Sequence, residues 1–218
     1  MSMFRDGGSY ITLFERHNLQ PMKGVVHVGA WDLHENDWYL PMCGSNVIWV
    51  EANPFSYEHV SKPKAEKAGQ KIYHFAACNV DDVDVNLYIP KDAIGVRITD
   101  GRSDCSSLAK NTAVGEGVPV AVPAKTLDKL FVDEQLDVND YDFLNIDTEG
   151  AEMLVLEGFK NNLDKMKYVV VEITKNDRFN TNCSFDTLNA YLTDKGFELK
   201  EVSDLIGGDW GDAFYIKK

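Results

Sequence analysis

Short apolar runs alternate with longer amphipathic segments along this chain. Residues 25–28 (VVHV) and 47–51 (VIWVE) are too short for helices, and the first breaks at a glycine, which is typical of strands buried in a parallel sheet. Between them, residues 33–42 are polar and aromatic at helical spacing. These segments predict a strand, loop, helix and strand in succession near the start of the chain.

The same alternation continues to the C-terminus. Helices are predicted at residues 9–17, with Ser9 as a cap, and at 55–68 and 185–195, and further buried strands at 71–75, 141–147 and 168–173.

Three further strand patterns complete the fold. Residues 83–89 alternate apolar and polar positions, which predicts a half-buried antiparallel strand. Residues 118–122 form a further strand, and the proline in it favours an edge position. Residues 197–202 and 212–216 can form a closing antiparallel pair. The whole pattern predicts a three-layer, Rossmann-like α/β fold, with a mostly parallel sheet and a reversed C-terminal strand.

Length and composition limit the organisation of the chain. Its 218 residues suit one domain (1–218), with residues 1–22 as an N-terminal helical extension and 90–117 as a long loop on the substrate side. No apolar run reaches the ~20 residues that span a bilayer, and the first residues lack the apolar core of a signal peptide. The four scattered cysteines suit free thiols in a reducing compartment, so we predict a cytoplasmic location.

The charge pattern limits the partners. The net charge is −13 and no lysine and arginine cluster is present, so we expect neither a nucleic acid nor a membrane as partner. A small-molecule or glycan acceptor remains open, as does the oligomeric state.

Gly29 and Glu51 predict a nucleoside site. Glu51 ends the second strand 22 residues after Gly29, and in nucleotide-binding βαβ units an acid at about this spacing accepts hydrogen bonds from the ribose hydroxyls. The loop has no G-x-G-x-x-G sequence to bind a pyrophosphate. S-adenosylmethionine (SAM) carries an adenosine without phosphate, and it therefore fits this site better than NAD or FAD does.

Carboxylates at the ends of later strands predict catalytic groups. Asp147, Glu149 and Glu172 would converge near this site, where each could act as the base that deprotonates an acceptor, and Asp212 is a further candidate. Alternatively, Asp147 and Glu149 could cap the helix at Ala151. Such a group of acids needs a cation, which SAM or a divalent metal could supply. No compact ligand spacing such as HExxH is present, so no metal ligands are predicted.

Four blocks of the sequence carry a resemblance to a known family. They are residues 27–30 (HVGA) with Glu35 downstream, 47–54 (VIWVEANP), 145–152 (NIDTEGAE) and 210–215 (WGDAFY). Over about 25–217 the chain resembles the FkbM family of SAM-dependent methyltransferases. The resemblance implies a class I methyltransferase fold and methyl transfer from SAM to an oxygen, most often a hydroxyl of a sugar or a natural product.

The resemblance also implies roles for individual residues. Gly29 and Ala30 would contact the methionine part of SAM with Glu35 nearby, and Ala77 would face the adenine. The full set of implied cofactor-binding residues is His27, Gly29, Ala30, Glu35, Glu51, Ala52, Asn53, Ala77 and Asp147, and the implied substrate-side residues are Ser106, Ser107, Trp210 and Asp212. From its place inside the strand, however, His27 is expected to be a core histidine rather than a ligand-binding one.

The chain departs from the family pattern in the loop after Gly29. The family often has a second glycine where Leu33 stands, and asparagine or histidine where Trp31 stands. Three other functions stay open from the sequence. They are an RNA 2′-O-methyltransferase, which the acidic charge disfavours, a nicotinamide oxidoreductase, and a catalytically inactive binding module with this fold.

Overall fold

The middle layer of the molecule is a sheet of mostly parallel strands. The computed structural model describes residues 9–90, 105–112, 115–175, 181, 183–203 and 209–218. The strands are β1 (Val25–Val28), β2 (Val47–Glu51), β3 (Lys71–His74), β4 (Ala76–Ala77), β5 (Val83–Pro90), β6 (Asn111–Thr112), β7 (Gly115–Lys125), β8 (Phe143–Ile146), β9 (Tyr168–Thr174), β10 (Phe197–Val202) and β11 (Trp210–Lys217). The helices are α1 (Tyr10–Arg16), α2 (Asn36–Cys43), α3 (Pro54–Ser56), α4 (Lys62–Lys67), α5 (Leu127–Asp133), α6 (Glu152–Gly158) and α7 (Phe185–Asp194), with a π-helical turn at Tyr57–Ser61.

The main sheet has seven strands in the order β10-β11-β9-β8-β1-β2-β3. β1 pairs in parallel with both β2 and β8, whereas β11 is antiparallel to both of its neighbours, β9 and β10. This arrangement confirms the predicted α/β fold with a reversed C-terminal strand. Because the order changes direction beside β1, the carboxyl ends of β1 and β8 border a crevice in which ligands bind in such sheets.

The central strands are buried on both faces. Successive side chains of a strand point to opposite faces of its sheet. Val26 and Val28 of β1 therefore belong to the apolar core on one face, while Val25, with Val47 and Trp49 of β2, belongs to the core on the other. This two-sided burial explains why these strands are apolar at nearly every position rather than at alternate ones.

The first helix is part of the core. As predicted, the Ser9 side chain caps α1, accepting from the Thr12 N–H at 3.4 Å. Tyr10 and Leu13 are buried, and the Tyr10 ring packs edge-on against Trp38 of α2, with their centroids 5.1 Å apart. In its described part, the predicted N-terminal extension therefore covers one face of the sheet.

The second helix begins later than the pattern indicates. The prediction placed it at residues 33–42, but α2 runs from Asn36 to Cys43. Trp31 and Leu33 have φ angles of 38° and 58°, in the left-handed region, so a right-handed helix cannot begin at Leu33 as predicted. The next helical segment begins at Pro54, where the Asn53 side chain caps it, close to its predicted start.

A second, smaller sheet lies beside the main one. β5 pairs with β7 in antiparallel register over its full length, which confirms the antiparallel strand predicted at 83–89. β7 begins before the predicted residue 118, and it lies between β4 and β5 rather than at an edge. β4 meets it only at Ala124–Lys125 and β6 only at Gly115–Glu116, so Pro119 pairs on the β5 side alone. That one-sided pairing accommodates its missing N–H.

Part of the predicted substrate-side loop is outside the described residues. Of residues 90–117, the structure describes Pro90, 105–112 and 115–117, which include β6 and the start of β7. The four cysteines all lie within the described residues and no disulfide joins them, as predicted, and Cys78 and Cys183 are buried. Within the described ranges, no helix has the length and apolarity needed to cross a membrane.

Candidate active site

A cavity opens at the carboxyl ends of β1, β2, β8 and β9. Its walls contain residues from the loops that follow these strands and from the second sheet. On the side of β2 and β3 they include Glu51, Ala52, Asn53, Phe75, Ala76, Ala77, Leu87 and Leu108, and on the side of β8 and β9 they include Asp147, Thr148, Glu149, Ala151, Glu172 and Trp210. The loop after β1 contributes further wall residues, which are Gly29, Ala30, Trp31, His34 and Glu35.

Gly29 allows the ends of β1 and β8 to come together. Its φ angle is 94°, and a Cβ placed on it would lie 1.7 Å from the carbonyl oxygen of Asp147. Any other residue here would force the two strand ends apart. Gly29 is therefore needed for the close packing of the two strand ends, in addition to the room that it leaves for a ligand.

The loop from Ala30 to Glu35 keeps a glycine-like conformation without further glycines. Trp31 and Leu33 both adopt positive φ angles, at a cost of about 1–2 kcal/mol each. Leu33 is 4% exposed and belongs to the apolar core, and this burial offsets the strain. The two departures from the family pattern thus preserve an open turn over the cavity.

Glu51 is held by the backbone in a buried position. Its Oε2 accepts from the Trp31 N–H and its Oε1 from the Asn53 N–H, each at 2.7 Å. Burial raises the pKa of Glu51 to about 7, although these N–H donors act in the opposite direction. A carboxylate has about four lone-pair directions, so two remain for the hydroxyls of a ribose.

His34 supplies a positive charge in the same loop. Its Nδ1 lies 3.2 Å from Asp32 Oδ1, and its Nε2 makes an ion-pair contact of 2.8 Å with Glu35 that is not a linear hydrogen bond. Burial by itself would lower the pKa of His34, but the hydrogen bonds and charges of the two carboxylates outweigh it and raise the pKa to about 10. Glu35, itself buried, is thereby neutralised beside the cavity.

The second sheet covers the side of the cavity that contains Glu51 and Asn53. Ser106 lies in the cavity wall, where its Oγ accepts from the Asn53 side-chain amide at 3.0 Å. Ser107 is fully buried, and its hydroxyl donates to the carbonyl oxygen of Glu149. Both serines were predicted on the substrate side, and the structure places them as links between the second sheet and the loops after β2 and β8.

Three carboxylates meet on the other side of the cavity. One oxygen each of Asp147, Glu149 and Glu172 lies within 4.8 Å of the other two. Burial and the charges of neighbouring acids, Asp212 among them, raise the pKa of Asp147 and Glu172 well above the usual range. The structure thus brings together the three residues predicted to be catalytic.

Glu152, rather than Asp147 or Glu149, organises the start of α6. One of its oxygens accepts from the Thr148 N–H, the Thr148 hydroxyl and the Gly150 N–H, at 3.0–3.1 Å. Glu149 has a φ angle of 52° in the turn that results. The alternative in which Asp147 caps this helix is not borne out, because its side chain accepts no hydrogen bond among the described residues and Glu152 holds the turn before α6 instead.

Three predicted site residues lie behind the cavity wall. They are His27, Ser107 and Asp212. His27 is 1% exposed, with its Nδ1 2.9 Å from the Tyr39 hydroxyl and its Nε2 3.2 Å from the Gly29 carbonyl oxygen. Burial lowers its pKa to about 4, so it is a neutral core histidine that supports the Gly29 turn.

The comparisons with known proteins agree with this geometry. A model of the family described as the methyltransferase FkbM domain matches residues 25–199. The chain belongs to the FkbM methyltransferase family. A search among curated proteins found no match.

Solved structures show the same fold at low sequence identity. An FkbM methyltransferase from Methylobacillus flagellatus has a TM-score of 0.58 at 13% identity, over 98% of this chain and 48% of that one. The chain thus spans about half of that protein. An O-methyltransferase from Bacillus cereus, solved with S-adenosylhomocysteine (SAH), has a TM-score of 0.52 at 11% identity, over 98% and 81% of the two chains. The fold of this FkbM-family chain is that of the class I methyltransferases.

The cavity fits the cofactor of this family, SAM. Glu51 has free lone pairs for the ribose, and the small side chains of Ala76 and Ala77 leave room for a flat ring beside Phe75 and Leu87. The carboxylates of Asp147, Glu149 and Glu172, on the opposite side of β1 from Glu51, would complement the positive ammonium and sulfonium groups of SAM. In this FkbM-family site SAM would supply an electrophilic methyl group.

Sequence reasoning missed two residues of the site. It assigned His34 to a helix, but His34 belongs to the loop before α2, and its pairing with Asp32 and Glu35 depends on the left-handed turns between them. In the sequence, Glu152 was recognised only as part of block 145–152, which carries the family resemblance. The T-x-x-x-E spacing from Thr148 to Glu152 was the local signal that Glu152 accepts hydrogen bonds from the turn before α6.

Proposed function

We propose that the protein transfers the methyl group of SAM to a hydroxyl oxygen, with a sugar, a glycan or a related small molecule as the acceptor. The observation that carries this proposal is the cluster of Asp147, Glu149 and Glu172 in the wall of the SAM cavity. Asp147 and Glu149 follow β8 and Glu172 lies near the end of β9, whereas Glu51 is the last residue of β2, and β1 lies between the two sides. The nucleoside and the acceptor therefore have separate places in one cavity.

The carboxylates suit the proton transfer that methylation of a hydroxyl requires. As the acceptor oxygen bonds to the methyl carbon, the bond from carbon to sulfur breaks, sulfur keeps the electron pair, and the hydroxyl must lose its proton. Asp147, Glu149 or Glu172 would accept that proton. General bases in enzymes contribute about 10²–10⁴-fold to rate, and they work best when their pKa is close to the working pH.

Two features of the cavity support a neutral, polyhydroxylated acceptor. Trp31 and Trp210 both contribute to the wall, and indole rings offer flat apolar surfaces for the C–H faces of a sugar. The neighbouring carboxylates can accept hydrogen bonds from its hydroxyls. The net charge of −13 disfavours an RNA acceptor, whose phosphates would be repelled.

Methyl transfer from isotope-labelled SAM to a panel of sugars and small alcohols, followed by mass spectrometry of the products, tests the proposal. The expected result is one added methyl group on an acceptor oxygen. Asp147→Asn should reduce the rate by about 10²–10⁴-fold if Asp147 is the base. Glu198→Gln, on the exposed side of β10, is the matched control and should leave the rate unchanged.

Binding must be measured beside transfer. If wild-type protein binds SAH but methylates no hydroxyl in the panel, the proposal is overturned in favour of a binding module. Methylation of a nitrogen or carbon atom instead would retain the enzyme but refute the class of acceptor.

A further inference from the structure

Glu172 is a buried acid without a counter-charge. It is 6% exposed, and it lies in the cavity wall at the end of β9. Within the described part of the chain, its carboxylate accepts no hydrogen bond and faces no cation, and the charges that act on it are those of Asp147, Glu149, Glu152 and Asp212. A buried ionised carboxylate is costly unless it is paired or coordinates a metal.

The other acids around the cavity are already satisfied. Glu35 pairs with His34, Glu51 accepts two backbone N–H groups, and Glu152 accepts three hydrogen bonds from the turn before α6. The Asp147 side chain, like that of Glu172, accepts no hydrogen bond among the described residues. Among the described residues, the negative charge without a partner therefore lies at Asp147 and Glu172.

The oxygens of this cluster have the spacing of a cation site. Because Asp147, Glu149 and Glu172 each place an oxygen within 4.8 Å of the others, one point lies within about 2.8 Å of all three. Bonds from oxygen to Ca²⁺ are ~2.3–2.6 Å and those to Mg²⁺ ~2.0–2.1 Å, so small side-chain rotations would complete coordination. An all-oxygen ligand set selects hard cations rather than zinc or copper.

We propose that Asp147, Glu149 and Glu172 bind a hard divalent cation of the Mg²⁺ or Mn²⁺ class beside the methyl group of SAM. The sequence motifs did not predict these ligands, because they come from two strands that meet only in the folded sheet. The role of the ion rests on the proposed function: it would hold the acceptor hydroxyl and lower its pKa. Each carboxylate needs to give the ion only one oxygen, so another oxygen remains to accept the proton.

Binding of Mn²⁺, followed by electron paramagnetic resonance, tests the site without reference to activity. Titration of the full chain, with SAH present and absent, should show one Mn²⁺ per chain, displaced by excess Mg²⁺. Glu172→Gln preserves shape but removes one ligand charge, and it should weaken Mn²⁺ binding at least tenfold. Glu198→Gln, an exposed acid already paired with Lys200, should bind Mn²⁺ like the wild type.

Thermal denaturation excludes misfolding as the cause of lost binding. Since Glu172→Gln removes a repelled buried charge, the apo variant should melt at the same or a higher temperature than the wild type, and it should still bind SAH. Added Mg²⁺ should stabilise the wild type but not the variant. The site is refuted if wild type binds no Mn²⁺ in either condition, or if the variant binds it equally well.

The proposed ion site and the proposed reaction can be refuted independently of each other. Hydroxyl methylation that persists unchanged in EDTA would leave the proposed function intact and overturn the role of the ion. Bound Mn²⁺ with no methylated hydroxyl would leave the site intact and overturn the proposed function.

Discussion

Replacing Glu51 with glutamine tests how the cavity binds the nucleoside. Both oxygens of Glu51 accept a backbone N–H at 2.7 Å, from Trp31 and Asn53, and the two remaining lone pairs are free for the ribose hydroxyls. Glutamine has one acceptor oxygen, and its NH₂ group would face one of those N–H donors. The variant should therefore lose a charge-assisted hydrogen bond to the ligand, worth about 1.5–3 kcal/mol, which weakens SAH binding roughly 10- to 150-fold.

The pH dependence gives an independent signature of the same contact. Burial raises the pKa of Glu51 to about 7, so only about one molecule in ten carries the ionised form at pH 6. If SAH binds the ionised form, its affinity for wild type should rise about tenfold between pH 6 and pH 8 from this group. Glu51→Gln should lack that part of the rise.

Calorimetric titration of SAH at pH 6, 7 and 8 measures both effects. Glu198→Gln again serves as control, because it removes an acid of the same size from the exposed face of β10. If Glu51→Gln binds SAH as tightly as wild type at pH 8, the ribose is held elsewhere. An unchanged pH slope in the variant would show that other groups, not Glu51, set it.

Further substitutions test the loop after β1. Gly29→Ala should cost about 3 kcal/mol or more of unfolding free energy in urea, because its Cβ would meet the Asp147 carbonyl oxygen. Gly69→Ala, with φ of 68° in the turn that ends α4 and open space around it, should cost only about 1–2 kcal/mol. Leu33→Gly relieves about 1–2 kcal/mol of strain but loses a buried side chain worth about 2–5 kcal/mol. A net loss of about 0–4 kcal/mol is therefore expected, and a more stable variant would contradict this. His34→Gln should lower the melting temperature most at pH 6, below the ordinary pKa of histidine, and progressively less between pH 6.5 and pH 10, because the pKa of His34 is raised to about 10 in the folded protein. An equal loss at pH 6 and pH 10 would refute the ion pairs.

Local patterns were sufficient for the main sheet and for the position of the residues expected to bind the nucleoside around one cavity. The apolar runs of β1, β2, β8 and β9 are readable because strands buried on both faces are apolar throughout. Once those strands are parallel neighbours, their carboxyl ends must meet. The positions of Gly29, Glu51 and Asp147 around one cavity follow from that rule rather than from any contact that the sequence displays.

Local patterns were insufficient where a residue's role depends on a distant partner. The prolines of β7 indicated an edge strand, yet β4 and β6 each join it at one end, and such pairing has no signal within β7 itself. His34 was assigned to a helix because the spacing of side chains in residues 33–42 gives no indication of the positive φ angles at Trp31 and Leu33.

The sequence by itself determined the fold class, the family blocks and which acids stand at the strand ends. Only the tertiary structure decided which of those acids are neutralised and which are not. Glu35, Glu51 and Glu152 find donors in their own loops, while Asp147 and Glu172 come together from separate strands without one among the described residues. The physical reason is that the ionisation of a buried carboxylate depends on the charges and donors within a few ångströms of it, and the fold sets those distances.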